Sequence, residues 1–221
     1  DHLDATHQVE PQTLARYRQI VAHFAGTSLN RARVSAVSTA EIERVLANGP
    51  GGDETKRLRW RVLRAGLRWG SRSWHTLDPT PGVRPPRAAR TRRAVLDGDG
   101  LRALIENCAV DSLLDPFVTL AVVTGKRRNE VLGLRVGDID PVTGAVRVDH
   151  ALEWLPGRPW RLKRTKTGEQ GVVHLPAFVL EEIRDLCRAR FNRPDAFLCS
   201  LDGGRNPLDP REVSLAFRKR A

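Results

Sequence analysis

Between Thr124 and Leu134 the chain reads Thr-Gly-Lys-Arg-Arg-Asn-Glu-Val-Leu-Gly-Leu. Gly125 ends one helix and the residues after it open another, because glycine takes the left-handed cap conformation at no steric cost. Arg127 and Glu130 therefore stand one helical turn apart at a helix start. Downstream, Lys163-Arg164-Thr165-Lys166-Thr167-Gly168 reads as a lysine-bearing hairpin leading into Gly171-Val172-Val173-His174-Leu175-Pro176. An anion-gripping arginine followed by a hairpin lysine looks like half of a phosphoryl-transfer site. The other half decides the chemistry.

The surrounding sequence frames a mixed domain. Residues 97–107 and 113–124 are expected as helices, the second more buried and closed by Gly125. Turn chemistry at Asp138-Ile139-Asp140-Pro141 and Thr143-Gly144 precedes an expected strand at 145–148. Short strands are expected near 150–155, 160–164 and 171–175, then a helix over 180–190. Asp209-Pro210-Arg211-Glu212 is a strong helix start. That helix meets Ala221 without a stop signal, and the chain has no Met. The expectation is a chain cut within its last helix, with an N-terminus that is processed, trimmed or an internal boundary.

The N-terminal part reads as helices. Pro11 suits a first turn, and Leu14, Tyr17, Val21 and Phe24 recur at helical spacing. Ser38-Thr39-Ala40-Glu41 is a capping box, with Val37 placed to staple onto Ile42. Over residues 54–73, Leu58, Val62, Ala65 and Trp69 form one stripe and Arg57, Arg61, Arg64, Arg68 and Arg72 another beside it. Helix faces that are merely solvated usually mix charge signs for i, i+4 pairing, and this one does not. Two readings stand: a phosphate-tracking face, or a solvated face of an arginine-rich protein. Residues 78–94 are proline-rich and carry Arg84, Arg87, Arg90, Arg92 and Arg93. They are expected as a semi-rigid basic linker, suited to a protein that closes around a duplex or simply a solvated hinge.

A net charge of +11 calls for an acidic partner, and nucleic acid is the commonest. Cys108, Cys187 and Cys199 are widely spaced and read as packed, reduced thiols, neither a disulfide framework nor a zinc site. No apolar run long enough for a membrane helix and no signal peptide is visible, so a cytoplasmic location is expected.

These residues carry a resemblance. The segment from Thr124 to Leu134, with Asp138-Ile139-Asp140, resembles the first signature box of the tyrosine recombinases, the phage integrase family. Thr165-Lys166-Thr167-Gly168 before Val172-Val173-His174-Leu175-Pro176 is similar to that family's β-hairpin lysine segment. The region from Thr13 and Tyr17 through Trp69 to Asp78-Pro79 resembles its helical core-binding domain. Phe197-Leu198-Cys199-Ser200 with Pro207-Leu208-Asp209-Pro210 and Ala216-Phe217-Arg218 resembles the approach to its second box. The resemblance implies a mainly α fold with a small β-sheet: a helical, SAM-like core-binding domain over 1–77, the linker, and the N-terminal part of the α+β integrase catalytic domain over 95–221.

It also implies a chemistry. In this family a tyrosine attacks the scissile phosphate of double-stranded DNA at att-like or crossover sites, leaving a 3′-phosphotyrosine and a free 5′-hydroxyl, with neither metal nor cofactor. Arg127 matches the first catalytic arginine, whose planar fork can bind two phosphate oxygens and stabilise transition-state charge. Glu130 matches the carboxylate that orients the site; an exposed helix-start carboxylate favoured by the dipole is the other reading. Lys166 matches the lysine that protonates the leaving 5′-oxygen. A lysine can approach neutral pKa and release a proton, which an arginine cannot, and only five of the 37 basic residues are lysines. Lys163 is the alternative donor. His174 reads as a packing or surface residue. Lys126, Arg128, Lys163 and Arg164 join the basic residues named above as expected DNA contacts. The complete protein is expected to act as a homo-oligomer on DNA, with bacterial or phage origin and a nucleoid-associated location.

The departures are as informative. The family also needs a His-x-x-Arg, a further His or Trp, and the tyrosine nucleophile. No histidine here has Arg three residues later, and the one tyrosine is Tyr17, on a helix stripe. Strand cleavage by these 221 residues alone is therefore not expected. The chain reads as a fragment of a recombinase, or as a non-catalytic DNA-binding protein derived from one. A helical protein-interaction module with incidental charge is a third reading, and it predicts no salt-sensitive affinity for DNA.

Overall fold

The computed structural model describes residues 10–87, 95–154, 157–164, 171–189 and 193–220. The chain divides into two compact units, Asp1–Arg93 and Ala94–Ala221. No helix of the described residues is long and apolar enough to cross a membrane.

The first unit is helical: α1 (Pro11–Ala25), α2 (Thr39–Asn48) and α3 (Asp53–Ser73), with two short 3-10 turns between α1 and α2. Ser38 caps α2 by accepting the Glu41 N–H at 3.2 Å, and the flanking Val37 and Ile42 are both buried. The core gathers Ile20, Phe24, Val37, Ile42, Leu46, Trp60 and Val83. Two expected stripes are rotated. In α1 the inward line ends on Ile20 and Phe24, and Val21 is exposed. In α3 Trp60 is the buried anchor, with Leu58, Val62, Leu63 and Leu67 packed against the core, while Ala65 and Trp69 are exposed. The Trp60 indole takes a large apolar area out of water where it enters this core.

Residues 79–84 run back along this unit. Val83 enters its core, the Thr39 hydroxyl donates to the Pro79 carbonyl, and the Arg84 N–H donates to Glu43 Oε1 at 2.8 Å. The first half of the proline-rich stretch is thus packed chain.

The second unit contains α4 (Gly98–Ala109), α5 (Asp115–Thr124), α6 (Arg128–Leu132), β1 (Ala145–Val148), β2 (His150–Glu153), β3 (Arg161–Arg164), β4 (Gly171–His174), α7 (Ala177–Ala189) and α8 (Pro210–Arg220). Asp97 caps α4 by accepting from the Gly100 N–H, and Asp209 accepts from Arg211 N–H at the start of α8. Leu114, Leu120, Val131, Leu132, Leu134, Val146, Leu152, Val179, Leu198, Cys199 and Val213 build one core. All three cysteines are buried, free thiols. The predominantly helical architecture with a small β component is the one the sequence predicts.

The strands pair in an arrangement the spacing did not suggest. β1 and β2 are consecutive, interrupted only at Asp149. β1 pairs antiparallel with β4 and β2 antiparallel with β3. Arg164 lies opposite His150, and Gly171 opposite Val148. The chain therefore leaves β3 and enters β4 on either side of the Asp149 break. Lys166, between them, lies outside the described residues, as do Arg90, Arg92 and Arg93.

Candidate nucleic-acid interface and phosphate site

The site begins with a helix that must stop. α5 is apolar enough to be buried along Phe117, Val118 and Leu120. It ends where Gly125 adopts φ 60° and donates its N–H to Ala121. Thr124 seals the last turn, its hydroxyl donating to Leu120 O at 2.6 Å and accepting from the Lys126 N–H at 3.3 Å. The chain then reverses in extended backbone at Arg127 (φ −66°, ψ 147°), the N-cap of α6.

Glu130 explains why that reversal is stable. Its Oε2 accepts the Arg127 backbone N–H at 2.9 Å, satisfying a donor that the helix start leaves over. Its Oε1 accepts from Arg127 Nη1 at 3.0 Å. The carboxylate is 9% exposed and the arginine side chain 72%. A buried carboxylate thus holds the base of a guanidinium whose remaining face is open to solvent. A charge-assisted bond of this kind is worth about 1.5–3 kcal/mol.

The neighbours of Arg127 divide. Arg128 turns toward α8, donating through Nη1 to the Ser214 hydroxyl at 2.6 Å and through Nε to Asn129. Asn129 Nδ2 donates to the Leu152 carbonyl at 2.9 Å, tying α6 to β2. Gly133 allows the same approach: a Cβ there would meet the Leu152 nitrogen at 3.2 Å. Lys126 is half-buried.

On the strands, Lys163 is half-buried and 3.3 Å from Glu153 Oε1. Arg161 pairs with the other oxygen of the same carboxylate. Arg164 is exposed at the end of β3, and His174 is exposed on β4. Neither Glu153 nor Asn129 stands out in the sequence. Only the β2–β3 register brings Glu153 opposite Arg161.

In the first unit, Arg57, Arg61, Arg64, Arg68 and Arg72 all lie on the exposed face of α3. Their charge is less unopposed than the sequence suggested. Arg57 pairs with Glu54 at 3.3 Å and Arg68 with Asp78 at 3.7 Å. Burial pushes the Asp78 carboxyl up, but the Thr80 N–H and hydroxyl, with Arg68 and Arg64, outweigh it and hold it below the usual carboxylate range. Arg61 and Arg72 extend the exposed row, and Arg84 and Arg87 are exposed beyond α3. Among the described residues no cluster of three or more His, Cys, Asp or Glu has the makings of a metal site.

Comparison with known proteins places this geometry. Residues 94–221, more than half of the chain, match the sequence profile of the phage integrase family. No curated protein sequence matches the chain. The Tn1549 transposon integrase, solved with a circular intermediate DNA, superposes with a TM-score of 0.77 at 14% identity, over 100% of this chain and 77% of that one. A lambda integrase dimer bound to a COC′ core site gives 0.73 at 20% identity, over 99% and 74%. A lambda integrase tetramer on a Holliday junction gives 0.73 at 20%, over 99% and 62%. At these identities the likeness is one of fold.

Proposed function

The chain belongs to the phage integrase family, and from that premise we propose that it is the DNA-gripping body of a site-specific recombinase. The observation that carries the proposal is the Arg127–Glu130 pair. A solvent-facing guanidinium, held from behind by a buried carboxylate at a helix start, is built to meet an anion from outside.

In this reading Arg127 binds the non-bridging oxygens of the scissile phosphate and stabilises the charge that grows on them in the transition state. Lys166 gives its proton to the leaving 5′-oxygen as the phosphorus–oxygen bond breaks. The bond that replaces it, from a tyrosine oxygen to phosphorus, conserves the energy of the phosphodiester, and no cofactor is consumed. Glu130 positions Arg127 and touches no substrate. The exposed arginines of α3, with Arg84, Arg87, Arg90, Arg92, Arg93, Lys126 and Arg164, contact the duplex backbone and release its counterions. Double-stranded DNA is then the partner, with assembly into homo-oligomers at paired sites. A nucleoid-associated, cytoplasmic location belongs to the same proposal. The first unit would be the core-binding domain and the second the N-terminal part of the catalytic domain.

The nucleophile is not in the second unit, which has no tyrosine; Tyr17 is half-buried in α1. That observation favours a second reading for these residues by themselves: binding without cutting.

The test is selection of a preferred duplex from a randomised pool, followed by covalent capture by the full gene product. The proposal predicts a preferred site and a protein–DNA adduct that Arg127→Ala abolishes while leaving affinity within a few-fold. An adduct that survives Arg127→Ala, or binding without sequence preference, contradicts it. A covalent adduct formed by the 221 residues alone would overturn the assignment of the nucleophile.

A further inference from the structure

We propose that Arg128 is a positioning residue and not a DNA contact: with Asn129 and Ser214 it holds α6 between β2 and α8, and so fixes the helix start from which Arg127 reaches the phosphate. The inference rests on the reading of Arg127 as the phosphate grip.

α6 has only five residues, too few for its own backbone hydrogen bonds to hold it in one place. Glu130, Val131 and Leu132 bury its inner side. Arg127 and Arg128 at its start are both exposed. Neighbouring side chains on a helix point about 100° apart, so one guanidinium can face solvent while the next faces another element.

Arg128 supplies two hydrogen bonds. Its Nε donates to Asn129 Oδ1 at 3.0 Å and its Nη1 to Ser214 Oγ at 2.6 Å. Each acceptor passes the connection on. Asn129 Nδ2 donates to the Leu152 carbonyl at 2.9 Å, and the Ser214 hydroxyl donates to the Pro210 carbonyl at 2.8 Å. A hydroxyl has a single proton, and that of Ser214 goes to Pro210, so it meets Arg128 with a lone pair. The Asn129 amide likewise turns its oxygen to the arginine and its nitrogen to the strand carbonyl. Two hydrogen-bonded arms thus run outward from one guanidinium, and bonds aligned in such a chain strengthen one another.

Both arms end on fixed structure. Leu152 is buried in β2, and Pro210 and Val213 are buried in α8, whose start Asp209 caps. Only a planar fork reaches both acceptors from one side chain; a lysine would bring a single ammonium. Arg127 and Arg128 therefore divide the work. One faces the solvent, and the other holds the helix that carries it.

Two measurements test this. In the 221-residue chain, Arg128→Met should leave the salt dependence of duplex affinity unchanged, whereas loss of a side chain that contacts a phosphate lowers the slope by about one. In the full gene product, Ser214→Ala should slow single-turnover adduct formation at saturating duplex about ten- to a hundredfold, as expected of a misplaced grip, with affinity within twofold. Alanine suits a helix, so α8 stays folded in this variant. Ser214→Thr keeps the hydroxyl and should restore the rate. Arg128→Lys keeps the charge without the fork and should be as slow as Ser214→Ala. The loss in Ser214→Ala should vanish on a duplex with a methyl group in place of one non-bridging oxygen at the scissile phosphate, because Arg127 then has no charge to neutralise.

A slope lowered by about one in Arg128→Met overturns the proposal, because Arg128 then touches the DNA. So does a wild-type rate in Ser214→Ala, a loss that threonine does not restore, or a loss of the same size on both duplexes. Absence of any adduct from wild type on the ordinary duplex is a separate outcome: the recombinase reading fails there, and the role of Arg128 falls with it.

Discussion

Arg127 and Glu130 form a pair in which each residue answers a different physical need. The glutamate is tolerated in the interior because both its oxygens are engaged, by a backbone N–H and by the guanidinium. Glu130→Gln keeps one acceptor and loses the ion pair. It should lower stability by about 1–2 kcal/mol in a denaturant titration, with little change in DNA affinity at high occupancy. A loss of DNA affinity with unchanged stability would place Glu130 in contact with the phosphate. Part of this was legible beforehand. The spacing of Arg127 and Glu130 put them on one turn, yet left open whether the carboxylate was exposed or orienting. Its burial depends on β2 and α8 closing over α6, and those contacts are long-range. Glu153 was invisible for the same reason, since nothing near it in the chain marks its opposition to Arg161.

Among the elements, α5, the Asp202 loop and α3 each make a prediction. Gly125 closes α5 at φ 60°, and a Cβ there would meet nothing within 4 Å. Gly125→Ala is thus a purely conformational insult, expected to cost about 1–2 kcal/mol; an unchanged denaturation midpoint would show that the cap relaxes. Asp202 organises the loop before α8, accepting from the Ser200 hydroxyl, the Arg205 and Asn206 N–H groups and the Asn206 side chain. The Asn206 N–H and side chain and the Ser200 hydroxyl hold its carboxyl far below the usual range. A carboxyl depressed in the folded state stabilises the protein above its unfolded pKa, and that contribution is lost as pH falls through the folded value. The thermal-stability gap between wild type and Asp202→Ala should therefore be full near pH 7 and narrow below about pH 4. A gap constant with pH would assign the effect to packing. Asn206 also accepts from the Trp160 indole N–H, so the loop supports the entry to β3.

The arginine stripe of α3 was fully legible from its spacing, whereas its partial neutralisation was not. Glu54 and Asp78 come from the first turn and from beyond the helix end, and their exposed pairs with Arg57 and Arg68 are worth little individually. Reversing Arg61, Arg64 and Arg72 to glutamate should abolish retardation of duplex DNA in a gel while leaving the helix folded. Retardation by the triple variant equal to wild type would remove α3 from the interface. The strand pairing was the least legible element. Segments 145–148 and 150–153 look like two strands in the sequence, and their sharing of one line across Asp149 follows from partners that arrive later in the chain.

For the whole molecule, the composition and the arginine-rich first unit point the same way. A chain with net charge +11, an exposed arginine row on one unit and an exposed, carboxylate-backed arginine on the other is matched to a phosphate backbone. The most direct test is the equilibrium affinity of the 221-residue chain for a duplex, measured from 50 to 200 mM salt for wild type and for the Arg61, Arg64 and Arg72 triple variant. The expected result is a linear fall of log affinity with log salt amounting to about a thousandfold for wild type, with a visibly shallower slope in the variant. Affinity that is flat with salt, or a slope identical in the two proteins, would contradict the central claim that this chain binds DNA through its phosphates.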